Sequence, residues 1–518
     1  MSYSRLLWWG DNGMNDARPL NVPIRKMNFG STDGKNEAKD PRFQDYFYNG
    51  GGYYDQLVSN PVKYLVIGRK GTGKTMLLQY FIARVNEKRE SFAKIIPVNQ
   101  FAEMKLNFFD YTTIKDEELR VFWKFMILKE LTTLVLSNDK WRLNKGDKLK
   151  LEGIDRTASL NLTQLVEENG NDAGLKFSKN PTVDLKEHQS TTATYSVGHY
   201  YEVVSVQLDA LLNLIKKNKR NYYIAFDDLD EIQIGSFGDI SNPDVVTSVA
   251  KVLVDFIGAV EEVNDALYET KTKSKVLVAI RKDVKDQMQH FGHNVNKATT
   301  DGGINLNWMT PIVKSDPSNS SLGKLILHKM EVTVPQYVKM NQEYVFDSFF
   351  PRGGSIKPFD WIVTRGFGRP RDVIEFLNLY KELYPEATTV TWKNLKNVVS
   401  SYSDWFYGEL LNEINILPNA SSIGETITLF KTFGRSVFRY QELEKFYYLN
   451  KADFSKIQVL KNDIEALFKL GVIGNHEKGK KKGSKPIIQY SYRDGINDPD
   501  FSRNFIIHPS IKNYLSIQ

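Results

Sequence analysis

Between Pro61 and Trp308, short apolar runs alternate with longer stretches in which apolar residues recur every three or four positions. Tyr64-Leu65-Val66-Ile67 is a continuous apolar run, the pattern of a strand buried on both faces. Leu78, Phe81, Ile82 and Val85 follow at helical spacing. Ile95 to Val98 predicts a second strand, and a long amphipathic helix is expected from about Glu117 to Leu136. Val204, Leu208, Leu211, Leu212 and Ile215 mark another helix. Tyr222 to Phe226, Val276 to Ile280 and Ile304 to Trp308 read as further strands. Between the first two of these, Ser241-Asn242-Pro243 caps a helix with Val245, Val249, Val252, Phe256 and Val260 on its apolar face. This alternation predicts an α/β fold, a mostly parallel sheet with helices on both faces.

The pattern differs on either side. Residues 1–55 are rich in Gly, Asn and Asp and read as an irregular lead-in with one short helix near Arg42 to Phe47. Within the core, 56–310, a polar and aperiodic stretch at about 137–198 reads as an insertion with hairpin strands at Leu175 to Ser178 and Thr192 to Val197. Residues 311–414 read as a helical lid, with loops at Pro335, Pro351 to Pro358 and Pro385. Residues 415–518 have the signals of a winged helix-turn-helix. Phe438 to Leu449 is a helix, and Asp453 or Ser455 caps another that carries Ile457, Leu460, Ile464, Leu467 and Phe468 and stops at Gly471. Val472-Ile473 opens a strand, a basic tip runs from Gly479 to Lys485, and Ile487 to Tyr492 returns. Lys480, Lys481 and Lys482 in that tip can lie along a DNA backbone. A solvated turn or a protein-docking wing accounts for them equally well.

Composition narrows the chemistry. The chain has 518 residues, 41% hydrophobic and 25% charged, which is ordinary for a globular protein of several domains. No run approaches the ~20 apolar residues that span a bilayer, so no membrane partner is expected. The start, with Leu6, Leu7, Trp8 and Trp9, lacks the pattern of a secretory signal. The sequence contains no cysteine, which removes disulfides and thiolate chemistry and fits a cytoplasmic location. The seven histidines have no paired metal-ligand spacing, and a net charge of +7 allows nucleic acid without requiring it.

The strongest chemical signal is Gly68-Arg69-Lys70-Gly71-Thr72-Gly73-Lys74-Thr75, which matches G-x-x-x-x-G-K-[ST]. A triphosphate requires backbone N–H groups turned toward one anion, a helix N-terminus, a lysine reaching the β and γ groups, and a hydroxyl for the metal. Gly68, Gly71 and Gly73 permit the turn, Lys74 supplies the charge and Thr75 the hydroxyl. The loop falls between a buried strand and an amphipathic helix, as that chemistry needs. Its ligand is expected to be ATP or ADP with Mg2+. The strand Tyr222 to Phe226 ends in Asp227-Asp228, which assigns Asp227, with Thr75, to the metal and its water shell. Asp228 is the first choice for positioning the attacking water, with Asp230 as the alternative.

Arg281, directly after the strand Val276 to Ile280, is placed to sense the γ-phosphate, although a plain surface arginine beside Lys282 is nearly as good a reading. Arg369 and Arg371 open a predicted helix in Gly368-Arg369-Pro370-Arg371-Asp372. Positive charge is unfavourable at a helix N-terminus, so these arginines are expected to face an anion, most simply the nucleotide.

These motifs, with Phe226-Asp227-Asp228-Leu229-Asp230, Phe376-Leu377-Asn378 and the upstream Phe29-Gly30 pair, resemble a bacterial P-loop ATPase family of the AAA+/STAND, origin-recognition-like type, associated with phage defence. The resemblance covers about residues 29–400 discontinuously. It implies a P-loop NTPase core with a mostly parallel sheet, a helical lid and a C-terminal winged helix. It also implies self-association or a partner protein, with Arg371 as the better lid sensor and Arg369 the second choice. Many relatives carry glutamate where this chain has Asp228, and the shorter side chain implies slower hydrolysis. Two functions follow: a nucleotide-dependent switch that hydrolyses ATP and acts on DNA or in anti-phage defence, or a nucleotide-binding scaffold with little turnover and no DNA contact. A phosphotransferase is disfavoured because nothing resembles a second-substrate pocket.

Overall fold

The computed structural model describes residues 21–97, 116–139, 144–146, 197–227, 229, 243–288, 293–309, 317–352, 357–415, 417, 419–479 and 486–517. In chain order the first part contains α1 (Gly34–Glu37), α2 (Phe43–Tyr46), α3 (Tyr53–Ser59), β1 (Leu65–Gly68), α4 (Lys74–Asn86), β2 (Ser91–Pro97), α5 (Asp116–Asp139), α6 (Val197–Asn218), β3 (Asn221–Asp227), α7 (Pro243–Tyr268), β4 (Lys275–Arg281), α8 (Lys282–Met288), α9 (His293–Asp301) and β5 (Gly303–Asn305).

The strands form one parallel sheet in the order β2-β3-β4-β1-β5. β1 and β4 are buried at every residue and β3 at all but its first, as their unbroken apolar runs require. Tyr223 and Phe226 are three residues apart and so face opposite sides of the sheet. Tyr223 meets Phe81 of α4 at 5.3 Å, whereas Phe226 meets Phe256 of α7 at 5.2 Å, so these two helices cover opposite faces. α5 joins the second layer through Trp123, 5.1 Å from Phe256. β4 separates β1 from β3, with Gly68 in register with Arg281. The glycine loop after β1 and Asp227 at the end of β3 therefore lie on the same carboxyl edge, two strand spacings or about 10 Å apart.

The second part is α10 (Ser321–Thr333), α11 (Gln342–Phe349), α12 (Pro358–Val363), α13 (Pro370–Leu383), α14 (Trp392–Ile414), α15 (Ala420–Phe433), β6 (Val437–Phe438), α16 (Tyr440–Leu449), α17 (Leu460–Leu470), β7 (Ile473–Glu477), β8 (Ile487–Gln489), α18 (Ser491–Asp494), β9 (Asn504–Ile507) and α19 (Pro509–Tyr514). Its strands make an antiparallel sheet in the order β6-β9-β7-β8. One apolar cluster runs continuously from α10 to Ile517. At its edge α14 meets α19 through stacked Tyr407 and the exposed Tyr514, with ring centroids 3.8 Å apart.

Several expectations are corrected. The segment from residue 21 to 55 is not an irregular lead-in: Ile24, Met27 and Phe29 are buried in the same cluster as α10 and α13. The Gly, Asn and Asp content reflects turns between short helices rather than a lack of contacts. β5 ends at Asn305 rather than Trp308, and Trp308 leaves the sheet to donate from Nε1 to Thr72 O at 2.9 Å. Phe438 belongs to β6, and its helix starts at Tyr440. α17 starts at Leu460, capped by neither Asp453 nor Ser455. The residues before it form a turn at Ser455-Lys456 and a bend at Gln458, where Glu425 accepts from Ile457 N at 3.0 Å and Ser422 Oγ from Gln458 N at 3.1 Å. β9, in the middle of the second sheet, was not anticipated, since four residues are too short a run to stand out. The hairpin strands expected at Leu175 to Ser178 and Thr192 to Val197 lie outside the described residues except for Val197, which opens α6. Among the described residues no helix is long and apolar enough to cross a membrane.

Candidate functional site

The glycine loop leaves β1 at Gly68 and enters α4 at Lys74. Its turn closes through Thr72, whose N and Oγ1 both donate to Arg69 O, at 3.3 and 2.8 Å. Gly71 and Gly73 adopt φ of +80° and +91°, the left-handed region that a side chain disfavours. Gly71 is needed for a second reason: an added Cβ would lie 3.0 Å from Arg371 Cβ. The Arg371 backbone N–H donates to Gly71 O at 3.4 Å, so α13 rests directly on the loop.

A cavity of about 410 Å³ opens against this loop. Lys70, Gly71, Gly73, Lys74 and Thr75 line one side, and Asp227 joins them from the end of β3. Arg371 and Ile374 enter from α13, and Lys329 from α10. The N-terminal segment closes the cavity with Ser31 to Lys35, Glu37 and the aromatic run Tyr46-Phe47-Tyr48. Lys70, Lys74 and Arg371 lie near the first turn of a 13-residue helix, with Glu409 and Asp227 in the same lining, and a helix N-terminus favours an anion. Tyr46, Phe47, Tyr48 and Trp308 also line it, rings suited to a flat, largely apolar group.

The expected site residues divide into two groups. Lys70, Gly71, Gly73, Lys74, Thr75, Asp227 and Arg371 line the cavity; Gly68, Arg69, Thr72, Arg281 and Arg369 do not. Thr72 closes the turn instead. Arg371 donates from Nε to Thr32 O at 2.8 Å and from Nη1 to Glu409 at 2.7 Å, and Lys70 Nζ lies 3.5 Å from the same Glu409 carboxylate. Arg369 does face an anion, but it is protein. Its buried guanidinium binds Asp372 at 2.8 Å and Glu413 at 2.6 Å and donates to Lys70 O at 3.0 Å. Arg281, also buried, pairs with Asp283 at 2.5 Å. Arg69 points away from the cavity, 3.7 Å from Glu413, with its guanidinium over Phe367 at 4.8 Å and Tyr492 at 5.8 Å. Asp228, Asp230, Lys480, Lys481 and Lys482 lie outside the described residues.

Glu413 thus sits among several arginines. Burial alone would push its carboxyl up, but the guanidiniums of Arg369, Arg69 and Arg281 together outweigh that and hold it at about 2. Sequence reasoning missed Glu409 and Glu413, although their spacing of four puts both on one face of α14. It also missed the ion pair between Glu37 and Lys329, 2.5 Å apart and buried at the cavity wall. No local motif marks that pair, because its members are 292 positions apart.

A family model described as a FunZ-associated C-terminal helical domain matches residues 320–411, the helices that carry Arg369, Arg371 and Glu409. No curated protein matches the chain. Among solved structures, the ORC2 protein of Aeropyrum pernix, in ADPNP–ADP complexes, is similar at 12% identity over 92% of this chain and 94% of that one, with a TM-score of 0.29.

Proposed function

We propose that the chain binds ATP with Mg2+ in the cavity between the glycine loop and α13, hydrolyses it slowly, and uses the bound state to move its helical and C-terminal segments. The observation that carries this reading is the cavity itself, which Lys70, Lys74 and Arg371 line beside a helix N-terminus together with Tyr46, Phe47, Tyr48 and Trp308. The triphosphate lies along the loop, with Lys74 on the β and γ groups, and the base packs against Tyr46 to Tyr48 and Trp308. Thr75 and Asp227 offer a hydroxyl and a carboxylate, the oxygen donors that suit a magnesium ion retaining most of its water. When bound, the ion neutralises charge that develops on the phosphates. Asp227 orients that water shell and Asp228 positions the attacking water. Arg371 leaves Glu409 for the γ-phosphate. Arg281 and Arg369 have no nucleotide contact in this scheme, since carboxylates occupy them.

The order α15-β6-α16-α17-β7-β8 is one we read as a winged helix, with DNA as its partner through Lys480, Lys481 and Lys482. The scaffold reading, without turnover or DNA contact, draws support from α17, whose outer positions Lys461 and Lys469 flank an acid, Glu465. Titration of a fluorescent ATP analogue tests binding, and Lys74→Ala is expected to abolish it. Unchanged affinity in that variant would overturn the proposal. Phosphate release with and without duplex DNA separates the two readings: release lost in Asp228→Asn supports the switch, and tight binding with no release under either condition supports the scaffold.

A further inference from the structure

The opposite, amino-terminal edge of the parallel sheet carries a second cavity, of about 480 Å³. It forms where β2 and β3 begin, at the end of α4 and α6 and in the turn from α7 to β4. Five lysines line it: Lys88 beyond α4, Lys216 and Lys219 at the end of α6, and Lys271 and Lys273 before β4. All five are exposed at its mouth, whereas Ser91 and Thr270 are buried in its wall. Lys219 and Lys271 have φ of +53° and +58°. Glycine or asparagine usually fills such positions, so lysine is held there at a conformational cost.

Lysines near helix C-termini also have a plain role, to balance the negative end of the dipole. That role does not account for this number. Each helix end carries about half a charge, so three ends offset about one and a half lysines. Glu269 lies 3.7 Å from Lys271. The nearby acids Glu87 and Glu90 are paired with Arg84 and Arg220. Among the described residues no carboxylate lies within 4.0 Å of Lys88, Lys216, Lys219 or Lys273. An excess of about two to three positive charges remains over one concave pocket. Its wall is ordered by Asn221, which accepts from Lys273 N at 2.8 Å and donates to Ser91 Oγ at 3.1 Å. Val58, Val85 and Tyr223 add an apolar side.

We infer that this cavity is a second binding site, separate from the glycine-loop cavity, for a small ligand bearing two or three phosphate groups. The concave shape favours a small ligand over a nucleic-acid backbone, which is convex and would not reach Thr270 behind the lysines. The test is calorimetric titration of inorganic tripolyphosphate into the full chain carrying Lys74→Ala, which disables the loop site. One equivalent is expected to bind. Adding Lys216→Gln and Lys273→Gln, both exposed, should weaken it about ten-fold with thermal unfolding unchanged, and the corresponding Arg pair should restore it. Absence of tripolyphosphate binding, or affinity unchanged by the Gln pair, would overturn the site. Binding of a single-stranded oligonucleotide that the Gln pair weakens, without tripolyphosphate binding, would overturn the small-ligand assignment.

Discussion

Arg69 Nη2 donates to the carbonyl of Leu470 at 2.8 Å, a contact between the glycine loop and the last turn of α17 across 401 positions of chain. Phe367, Tyr492 and Glu413 hold the same guanidinium. One side chain thus joins the glycine loop to the C-terminal segment.

Replacing Arg69 with Ala removes a charge-assisted hydrogen bond and two ring contacts and leaves the Leu470 carbonyl with one partner fewer. The expected loss is about 2–3 kcal/mol in urea unfolding. Arg69→Lys should recover less than half, because an ammonium cannot stack on both rings with the same planar geometry.

Glu413→Ala leaves the buried Arg369 with Asp372 as its one paired carboxylate, beside the Lys70 carbonyl, and is expected to cost about 3–5 kcal/mol. The carboxyl is held below its ordinary value of 4.5 by the surrounding guanidiniums. Its stabilising contribution is thus complete above about pH 4.5 and lost as pH falls toward 2. Thermal melts of both proteins at pH 7 and pH 3 should show the gap between them narrowing in acid.

Glu409 holds Lys70 and Arg371, two of the three cations proposed to meet the triphosphate. Glu409→Gln should release them and tighten ATP binding by about three- to ten-fold, on the order of 1 kcal/mol. Weaker binding with an unchanged melting temperature would show that Glu409 positions the arginine rather than competing with the nucleotide.

His508 is fully buried, with Nε2 3.2 Å from Gly366 O and Nδ1 accepting from Ser510 N at 3.3 Å. Burial pushes its ring down to about 3. The unfolded chain takes up the proton first, so stability is full above about pH 6.5 and falls as pH drops from there toward 3. Between pH 7 and pH 5 the contribution is about 2 kcal/mol. Denaturant unfolding at the two pH values measures it, and the difference should flatten in His508→Asn.

The sequence alone determined the parallel sheet, the loop that follows β1 and the acid at the end of β3. Each is a local signal: a buried parallel strand must be apolar throughout, and a tight turn beside a helix N-terminus must be rich in glycine. It also marked Arg369 and Arg371 as arginines that face anions. Only the tertiary structure decided which anions, because the choice depends on α14, which sets Glu409 and Glu413 against these arginines from about 40 positions away. The same holds for the segment from residue 21 to 55. Its few apolar residues have no readable period, yet Ile24, Met27 and Phe29 are buried and Tyr46 to Tyr48 form a cavity wall. Strand and turn signals depend on neighbours in sequence, whereas ion pairing and cavity walls depend on neighbours in space, which only the packed chain brings together.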